Sequence, residues 1–141
     1  MKTSSKKVLV IEDEFIIQYN LINMFNLMGF DEVKGVASVQ EALCFVNKIK
    51  FDLITFDINL LDGNALQIHE RMNEINDDTI KIVISAYDNL DFLGIKLEEP
   101  IDRYFRRLGF DMYIEKPDFS YFYSNEFEEV INGIIKPGEG R

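Results

Sequence analysis

Side chains that can bind a metal ion or a phosphoryl group stand at the ends of several apolar runs in this sequence. Glu12 and Asp13 directly follow one run, and Asp57 directly follows another. Ser85 and Lys116 stand at the ends of two later runs. A carboxylate beside a buried segment costs free energy unless a partner neutralises it. The pattern therefore indicates one shared site.

The acidic residues of this set predict a Mg²⁺ site. Clustered carboxylates raise one another's pKa, and a divalent cation relieves their repulsion. Mg²⁺ takes oxygen ligands and keeps several waters, so two carboxylates and one backbone carbonyl are enough to hold it. We expect Glu12, Asp13 and Asp57 to supply carboxylates. The carbonyl of Asn59, two residues past Asp57, is expected to reach the same ion.

The same groups suit phosphoryl transfer. An Asp carboxylate can attack a phosphoryl group and carry it as an acyl phosphate. The transferring group spreads negative charge over three oxygens. Mg²⁺ would hold one oxygen, Lys116 a second, and the Ser85 hydroxyl or nearby backbone N–H groups the third. Because positioning and charge stabilisation are nearly all that this reaction requires, Asp57 is predicted to be the acceptor.

Strand-like and helix-like segments alternate along the chain and position these residues. Short, wholly apolar runs are typical of strands covered on both faces of a parallel sheet. The run over 8–11 is wholly apolar. Two further runs over 53–56 and 80–84, a weaker one over 33–37 and a short one over 112–114 complete five predicted strands. Apolar residues at helical spacing predict five helices, over about 14–28, 38–48, 64–75, 100–109 and 124–134. This alternation predicts an α/β protein with helices on both faces of the sheet, and ligands of such sheets bind at the carboxyl ends of the strands.

In order and spacing, these pieces resemble the receiver domains of two-component response regulators. The resemblance covers about residues 6–135 and is carried by Glu12-Asp13, Asp57, Ser85-Ala86, Tyr113 and Lys116-Pro117. It implies a flavodoxin-like (βα)5 doubly wound sandwich around a central five-stranded parallel sheet. We expect a disordered N-terminus over 1–6, a receiver domain over 7–135 and a tail over 136–141.

The resemblance also implies a partner and an output. Asp57 would take a phosphoryl group from a histidine of a histidine kinase or histidine phosphotransfer protein. The output would be a population shift between two conformers that a downstream protein reads, or onward transfer in a phosphorelay. We expect a stand-alone receiver, with no catalytic turnover beyond self-catalysed phosphoryl acceptance and autodephosphorylation.

Individual roles follow from the same resemblance. Asp13 would bind Mg²⁺ directly, and Glu12 would bind it through water. Lys116 would contact the phosphoryl group, and Ser85 would close on it. Tyr113 would swing inward and so report that closure.

An apolar stripe on the first predicted helix lies opposite its core face. A contiguous exposed apolar patch beside a functional site is typical of an interaction surface. We hypothesise that the helices bearing the donor histidine dock on this stripe, which comprises Phe15, Ile16, Tyr19 and Ile22. The resemblance implies a second surface, for homodimers, between the fourth and fifth helices.

Three segments depart from the family pattern. Leu61 and Ala65 stand where receivers usually carry Pro and Gly, and the turn residues are Asp62-Gly63 instead. We expect an altered loop with intact chemistry. The segment 87–99 is longer than usual, and 119–123 also looks inserted. Both fall on the face by which receivers normally dimerise or signal.

Composition excludes several other classes of protein. A net charge of −10 argues against nucleic-acid binding, and no apolar stretch approaches the roughly 20 residues of a membrane helix. The single cysteine, Cys44, excludes an internal disulfide, so we expect a cytoplasmic protein. We predict that Cys44 is buried in the core and that His69 is solvated without a role.

Two rival functions remain open at this stage. A Mg²⁺-dependent phosphatase of similar fold also uses an Asp nucleophile, but it typically carries a second acid two residues later, where this chain has Asn59. A degenerate receiver would act only as a phosphorylation-independent interaction module. The presence of Asp57, Ser85 and Lys116 together argues against it.

Overall fold

The protein is described by a computed structural model over residues 6–85, 99–116 and 118–135. Its strands are β1 (Lys7–Ile11), β2 (Glu32–Val36), β3 (Leu53–Phe56), β4 (Asn59–Leu60), β5 (Gly63–Asn64), β6 (Ile80–Ser85) and β7 (Met112–Glu115). Its helices are α1 (Phe15–Leu27), α2 (Val39–Lys48), α3 (Ala65–Glu74), α4 (Ile101–Leu108), α5 (Phe119–Phe122) and α6 (Asn125–Ile135). The disordered terminus predicted over 1–6 is described only at Lys6, and most of the long 87–99 segment, Pro117 and the predicted tail lie outside the described residues.

Five parallel strands form the central sheet in the order β2-β1-β3-β6-β7. The chain runs from β1 outward to β2, and then returns to the other side of β1 with β3. The strand order therefore switches between β1 and β3, and ligands of open α/β sheets bind at such a point. The predicted flavodoxin-like doubly wound fold is confirmed.

The core has one apolar layer on each face of the sheet because successive strand side chains point to opposite faces. Leu9 and Ile11 face the layer that also contains Phe56 and Phe105. Val8 and Val10 face the layer built with α1 and α6, whose buried residues include Leu21, Phe25, Phe127 and Ile131. Because both faces of the sheet are covered, successive residues of β1 and β3 are mostly apolar instead of alternating with polar ones.

Side-chain hydrogen bonds and a glycine with positive φ mark several helix ends. The Ser38 hydroxyl accepts the Glu41 N–H at the start of α2, and the Ser124 hydroxyl accepts the Phe127 N–H at the start of α6. Gly29 follows α1 with a φ of 97°, a backbone conformation that favours glycine. Asn64 and Gln67 form a capping box at α3 that the sequence analysis did not identify.

The loop after β3 is a small antiparallel hairpin, in which β4 pairs with β5. Its turn residue Asp62 accepts the backbone N–H groups of Val39 (2.7 Å) and Gln40 (3.1 Å) at the start of α2. Those two hydrogen bonds hold the pKa of Asp62 below its ordinary value. The hairpin is thus anchored to α2, and Leu61 at its tip is 89% exposed. This anchored hairpin contains Leu61 and Asp62-Gly63, the positions that depart from the family pattern, and the expectation of an altered loop stays a prediction.

Two burial predictions are wrong. Cys44 is exposed, because the buried face of α2 is formed by Val39, Ala42 and Val46. His69 is buried: its ring stacks on Phe110 with centroids 4.3 Å apart, and its Nε2 lies 2.7 Å from the Leu108 carbonyl oxygen. Both errors concern which helix face meets a neighbour. Among the described residues, no helix combines the length and apolarity needed to cross a bilayer.

Candidate functional site

The carboxyl ends of β1, β2 and β3 place two acidic side chains next to each other. The Asp57 N–H donates to the Ile11 carbonyl (2.9 Å), and the Glu12 N–H donates to the Val36 carbonyl (3.0 Å). These bonds continue the parallel pairing one residue beyond each strand. Glu12 and Asp57 are therefore held in register at one edge of the sheet.

Glu12, Asp13 and Asp57 form the acidic cluster that the sequence predicts. One carboxylate oxygen from each lies within 4.8 Å of the others. Glu12 and Asp57 are buried, while Asp13 is partly exposed. Two buried carboxylates and one partly exposed carboxylate thus lie close together at this edge of the sheet.

Burial sets the electrostatics of this acidic cluster. Desolvation, reinforced by the charge of Asp57, raises the pKa of Glu12 to about 8. Desolvation also raises the pKa of Asp57, although Lys116 opposes that shift. At neutral pH the cluster therefore keeps a proton or requires an additional cation.

Lys116 brings an ammonium group into the cluster from the loop after β7. Its Nζ lies 3.3 Å from the Glu12 carboxylate, 3.3 Å from Glu14 and 3.4 Å from Asp57 Oδ2. Burial lowers the pKa of Lys116, but the three carboxylates together outweigh that effect and the net pKa is raised. The Lys116 N–H also donates to the Ser85 carbonyl (2.6 Å), which fixes its backbone to the end of β6.

The two oxygens of the Asp57 carboxylate have different surroundings. Oδ2 faces Lys116, whereas Oδ1 is buried and has no hydrogen-bond partner among the described residues. A buried carboxylate oxygen without a partner indicates a missing ligand. Together with Glu12 and Asp13 it forms a set of oxygen donors that suits Mg²⁺. Asn59 lies in β4 with an exposed side chain, and the predicted use of its carbonyl stays a prediction.

Ser85 and Tyr113 lie on adjacent strands beside this cluster. Ser85 is fully buried at the end of β6. The Tyr113 hydroxyl lies 3.4 Å from the Ser85 carbonyl oxygen, to which it donates. The Tyr113 ring stacks on Phe105 of α4, with centroids 5.7 Å apart and planes 4° from parallel. A movement of the Tyr113 ring would therefore directly change its packing against α4.

The apolar stripe predicted on α1 is exposed in three of its four positions. Phe15 is 73% exposed, Ile16 and Tyr19 are more than half exposed, and the rings of Phe15 and Tyr19 stack 6.1 Å apart. Ile22 does not belong to this stripe, because it is half-buried and packs against the core. The prediction for Ile22 is therefore corrected.

Three residues with contacts at the site or on α1 were missed. Glu14 contacts Lys116, and its place in the acidic run after β1 was the available signal. Gln18 donates hydrogen bonds to carbonyl groups at the ends of β1 and β2, and nothing in the sequence indicates that contact. Tyr123, directly after α5, is 43% exposed, and its hydroxyl donates to Asn20 of α1 (2.6 Å).

The arrangement can bind a divalent cation and present one carboxylate oxygen to an electrophile beside an ammonium group.

The protein is similar to "Sporulation initiation phosphotransferase F" of Bacillus subtilis, with 28% identity over 89 residues, covering 63% of this chain and 71% of that protein. It is also 28% identical over 83 residues to "Transcriptional regulatory protein LytR" of Staphylococcus aureus, of which it spans 34%. A CheY-like receiver domain protein from Methanospirillum hungatei shares the fold, with a TM-score of 0.72, 24% identity and coverage of 96% and 100% of the two chains.

A family model completes the comparison. The model of the response regulator receiver domain matches residues 8–117, which include the whole central sheet except Lys7 and every residue of the acidic cluster. Receiver domains are phosphoryl-accepting switch domains that bind Mg²⁺ at an acidic pocket. The match spans most of the chain, and the strand order and the acidic edge agree with it. The chain belongs to the family of response regulator receiver domains.

Proposed function

We propose that Asp57 is the residue that accepts the phosphoryl group and that Glu12, Asp13 and Asp57 hold Mg²⁺. The observation that carries this proposal is the buried Oδ1 of Asp57, which has no partner among the described residues although it lies in a cluster of three carboxylates. A structural carboxylate at this depth would have both oxygens satisfied. One that binds a ligand has to keep an oxygen free of protein partners.

The chemistry follows from the contacts of this carboxylate. An oxygen of Asp57 attacks the phosphorus atom, a P–O bond forms, and the P–N bond to the donor histidine breaks as the imidazole leaves. Lys116, already 3.4 Å from Asp57 Oδ2, stabilises the negative charge on the transferring oxygens. Bound Mg²⁺ supplies the positive charge that the acidic cluster and the phosphoryl oxygens both require. The backbone carbonyl of Asn59 is its proposed further ligand.

The proposed output begins at Ser85 and Tyr113. The Ser85 hydroxyl closes on the phosphoryl group, and the Tyr113 ring moves inward with it. Because Tyr113 stacks on Phe105, this movement shifts the packing of α4. The phosphorylated and unphosphorylated forms then differ in population between two arrangements of this face, and a downstream protein reads the difference or receives the phosphoryl group in a relay.

Histidine kinases or histidine phosphotransfer proteins supply the phosphoryl group to receiver domains. For this chain we propose that the donor docks on Phe15, Ile16 and Tyr19. These three residues are exposed on α1, which begins three residues after Glu12. Their position beside the acidic cluster brings a docked histidine close to Asp57.

Wild-type protein incubated with acetyl phosphate and Mg²⁺ is expected to gain the mass of one phosphoryl group, and Asp57→Asn is expected to gain none. Intact-mass spectrometry with and without Mg²⁺ is the measurement. Asp78→Asn is the matched control, because Asp78 is an exposed aspartate before β6, at the opposite edge of the sheet. Uptake by Asp57→Asn equal to that of the wild type would refute the assignment. A folded wild type without uptake from either this donor or a phosphorylated histidine protein would favour a phosphorylation-independent interaction module.

Phe15→Ala and Tyr19→Ala are expected to slow transfer from a cognate histidine kinase by about tenfold, since exposed aromatic residues often dominate the free energy of an interface. Uptake from acetyl phosphate is expected to stay unchanged, because neither side chain belongs to the acidic cluster. Leu27→Ala is the control, as Leu27 is 74% exposed at the far end of the same helix. Undiminished transfer from the kinase to both variants would end the docking proposal.

A further inference from the structure

We propose that Gln18 is a positioning residue that holds the Glu12-Asp13 peptide in the geometry required for Mg²⁺ binding. Nothing in the family match or in the sequence pattern assigns it a role. The proposal rests on the proposed function of the acidic cluster and names one side chain on which the shape of that cluster depends.

The Gln18 amide joins the ends of two strands. Its Nε2 donates to the Glu12 carbonyl at 2.8 Å and to the Val36 carbonyl at 3.0 Å. The Val36 carbonyl also accepts the Glu12 N–H at 3.0 Å. A single half-buried side chain on α1 thus bonds to the carbonyl of the first acidic residue and to the strand that lies beside it.

Gly35 of β2 leaves the space that this amide occupies. A Cβ at Gly35 would lie 2.7 Å from Gln18 Oε1 and 2.7 Å from the Ile22 side chain. Both distances are shorter than van der Waals contact, so any larger residue at 35 would displace Gln18. The glycine and the glutamine therefore form one packing unit across the β2–α1 interface.

The other contacts of the connection between β1 and α1 hold different groups from the one that Gln18 holds. The Glu14 N–H donates to the Glu12 carboxylate (3.0 Å), and Lys116 pairs with the Glu12 and Glu14 carboxylates, whereas the Gln18 amide holds the Glu12 carbonyl. Glu14 precedes α1 without a side-chain capping hydrogen bond in the described part of the chain. The peptide groups that carry Glu12 and Asp13 lie within this short connection. Without the Gln18 amide, these peptides have more conformational freedom, and ordering them becomes part of the free energy cost of binding the ion.

Gln18→Met keeps the length of the side chain and removes both donors. We expect its Kd for Mg²⁺ to rise roughly tenfold, as for other residues that orient metal ligands. The maximal rate of phosphoryl uptake at saturating Mg²⁺ should stay near the wild-type rate, because Asp57 and Lys116 are untouched. Titration calorimetry with MgCl₂ gives the Kd, and uptake from acetyl phosphate at increasing Mg²⁺ concentration separates affinity from maximal rate. Gln40→Met, on the exposed surface of α2, is the control.

Gly35→Ala tests the same unit from the other strand. It is expected to weaken Mg²⁺ binding by displacing Gln18, and in combination with Gln18→Ala the two effects should be less than additive. Gly133→Ala is the matched control, since a Cβ there meets no atom of the described residues within 4 Å. Gly35→Ala also keeps the proposal testable if Gln18→Met folds poorly.

The outcomes separate this inference from the proposed function. Wild-type affinity for Mg²⁺ in both Gln18→Met and Gly35→Ala would overturn the role of Gln18 while leaving the proposed function intact. A maximal rate that falls in proportion to affinity would also overturn it, because Gln18 would then act on the transfer step. A wild type that binds no Mg²⁺ would overturn the proposed function and this inference together.

Discussion

Replacing Lys116 with methionine is expected to slow phosphoryl uptake at Asp57 by about 100-fold and, at the same time, to tighten Mg²⁺ binding. A hundredfold loss is typical when one stabilising donor is removed from a transition state of this kind. The opposite effect on Mg²⁺ follows from the position of the ammonium group, which lies within 3.4 Å of both Glu12 and Asp57. Its removal takes a competing positive charge away from the two buried carboxylates.

The two measurements on Lys116→Met are an initial rate of uptake from acetyl phosphate and a calorimetric Kd for Mg²⁺. Lys50→Met is the control, because Lys50 pairs with exposed Asp78 far from the acidic cluster. Exposed pairs of that kind contribute little to stability. Weaker Mg²⁺ binding in Lys116→Met, measured on folded protein, would show that Lys116 supports the ligand geometry instead of competing with the cation.

The second large effect is a pH-dependent stabilisation by Mg²⁺. Burial raises the pKa of Glu12 from an ordinary value of 4.5 to about 8. A carboxyl group whose pKa is raised by folding favours the folded state below its unfolded pKa, and this contribution is lost as the pH rises through the folded pKa. Without Mg²⁺, the free energy of unfolding is therefore expected to fall between about pH 4.5 and about pH 8. Each pKa unit corresponds to about 1.4 kcal/mol, so the loss amounts to several kcal/mol.

Mg²⁺ is expected to reverse this loss because it binds the deprotonated carboxylates and releases the proton. The rise in Tm on adding Mg²⁺ should be small near pH 5 and should grow toward pH 8. Thermal unfolding across this pH range, with and without Mg²⁺, is the measurement. Glu12→Gln should flatten the pH dependence measured without Mg²⁺, whereas Glu74→Gln, exposed on α3, should not. An equal Tm increase at every pH in the wild type would contradict the assignment of Glu12.

Much of the fold was predictable from the sequence because its signals are local. A strand buried on both faces requires a mostly apolar run, so β1 and β3 were located within a residue. A parallel sheet brings all its carboxyl ends to one edge, so residues that follow different runs, such as Asp57 and Lys116, could be placed together without knowledge of the tertiary structure. The family was inferred from the resemblance of the site motifs to those of receiver domains, and the family match confirms it.

Contacts between elements were not predictable in this way. The sequence shows that α3 has an apolar face, but it does not show that Phe110 would stack on His69 and bury it. The helical spacing that suggested an exposed stripe on α1 included Ile22, which the approach of β2 at Gly35 half-buries. In both cases the outcome depends on the angle and distance at which two elements meet.

The chain by itself determined the five strands of the central sheet, the helices α1 to α4 and α6, and the chemical groups at one edge of the sheet, but not the β4–β5 hairpin or α5. Only the tertiary structure decided which oxygen of Asp57 lacks a partner, that Asp62 anchors the hairpin to α2, and that Gln18 bonds to the carbonyl of Glu12. The spacing of apolar residues along a segment shows which of its faces is apolar, because the polarity of each position follows from the burial of that position alone. A hydrogen bond between elements depends on two distant positions and their relative geometry, which no single segment records.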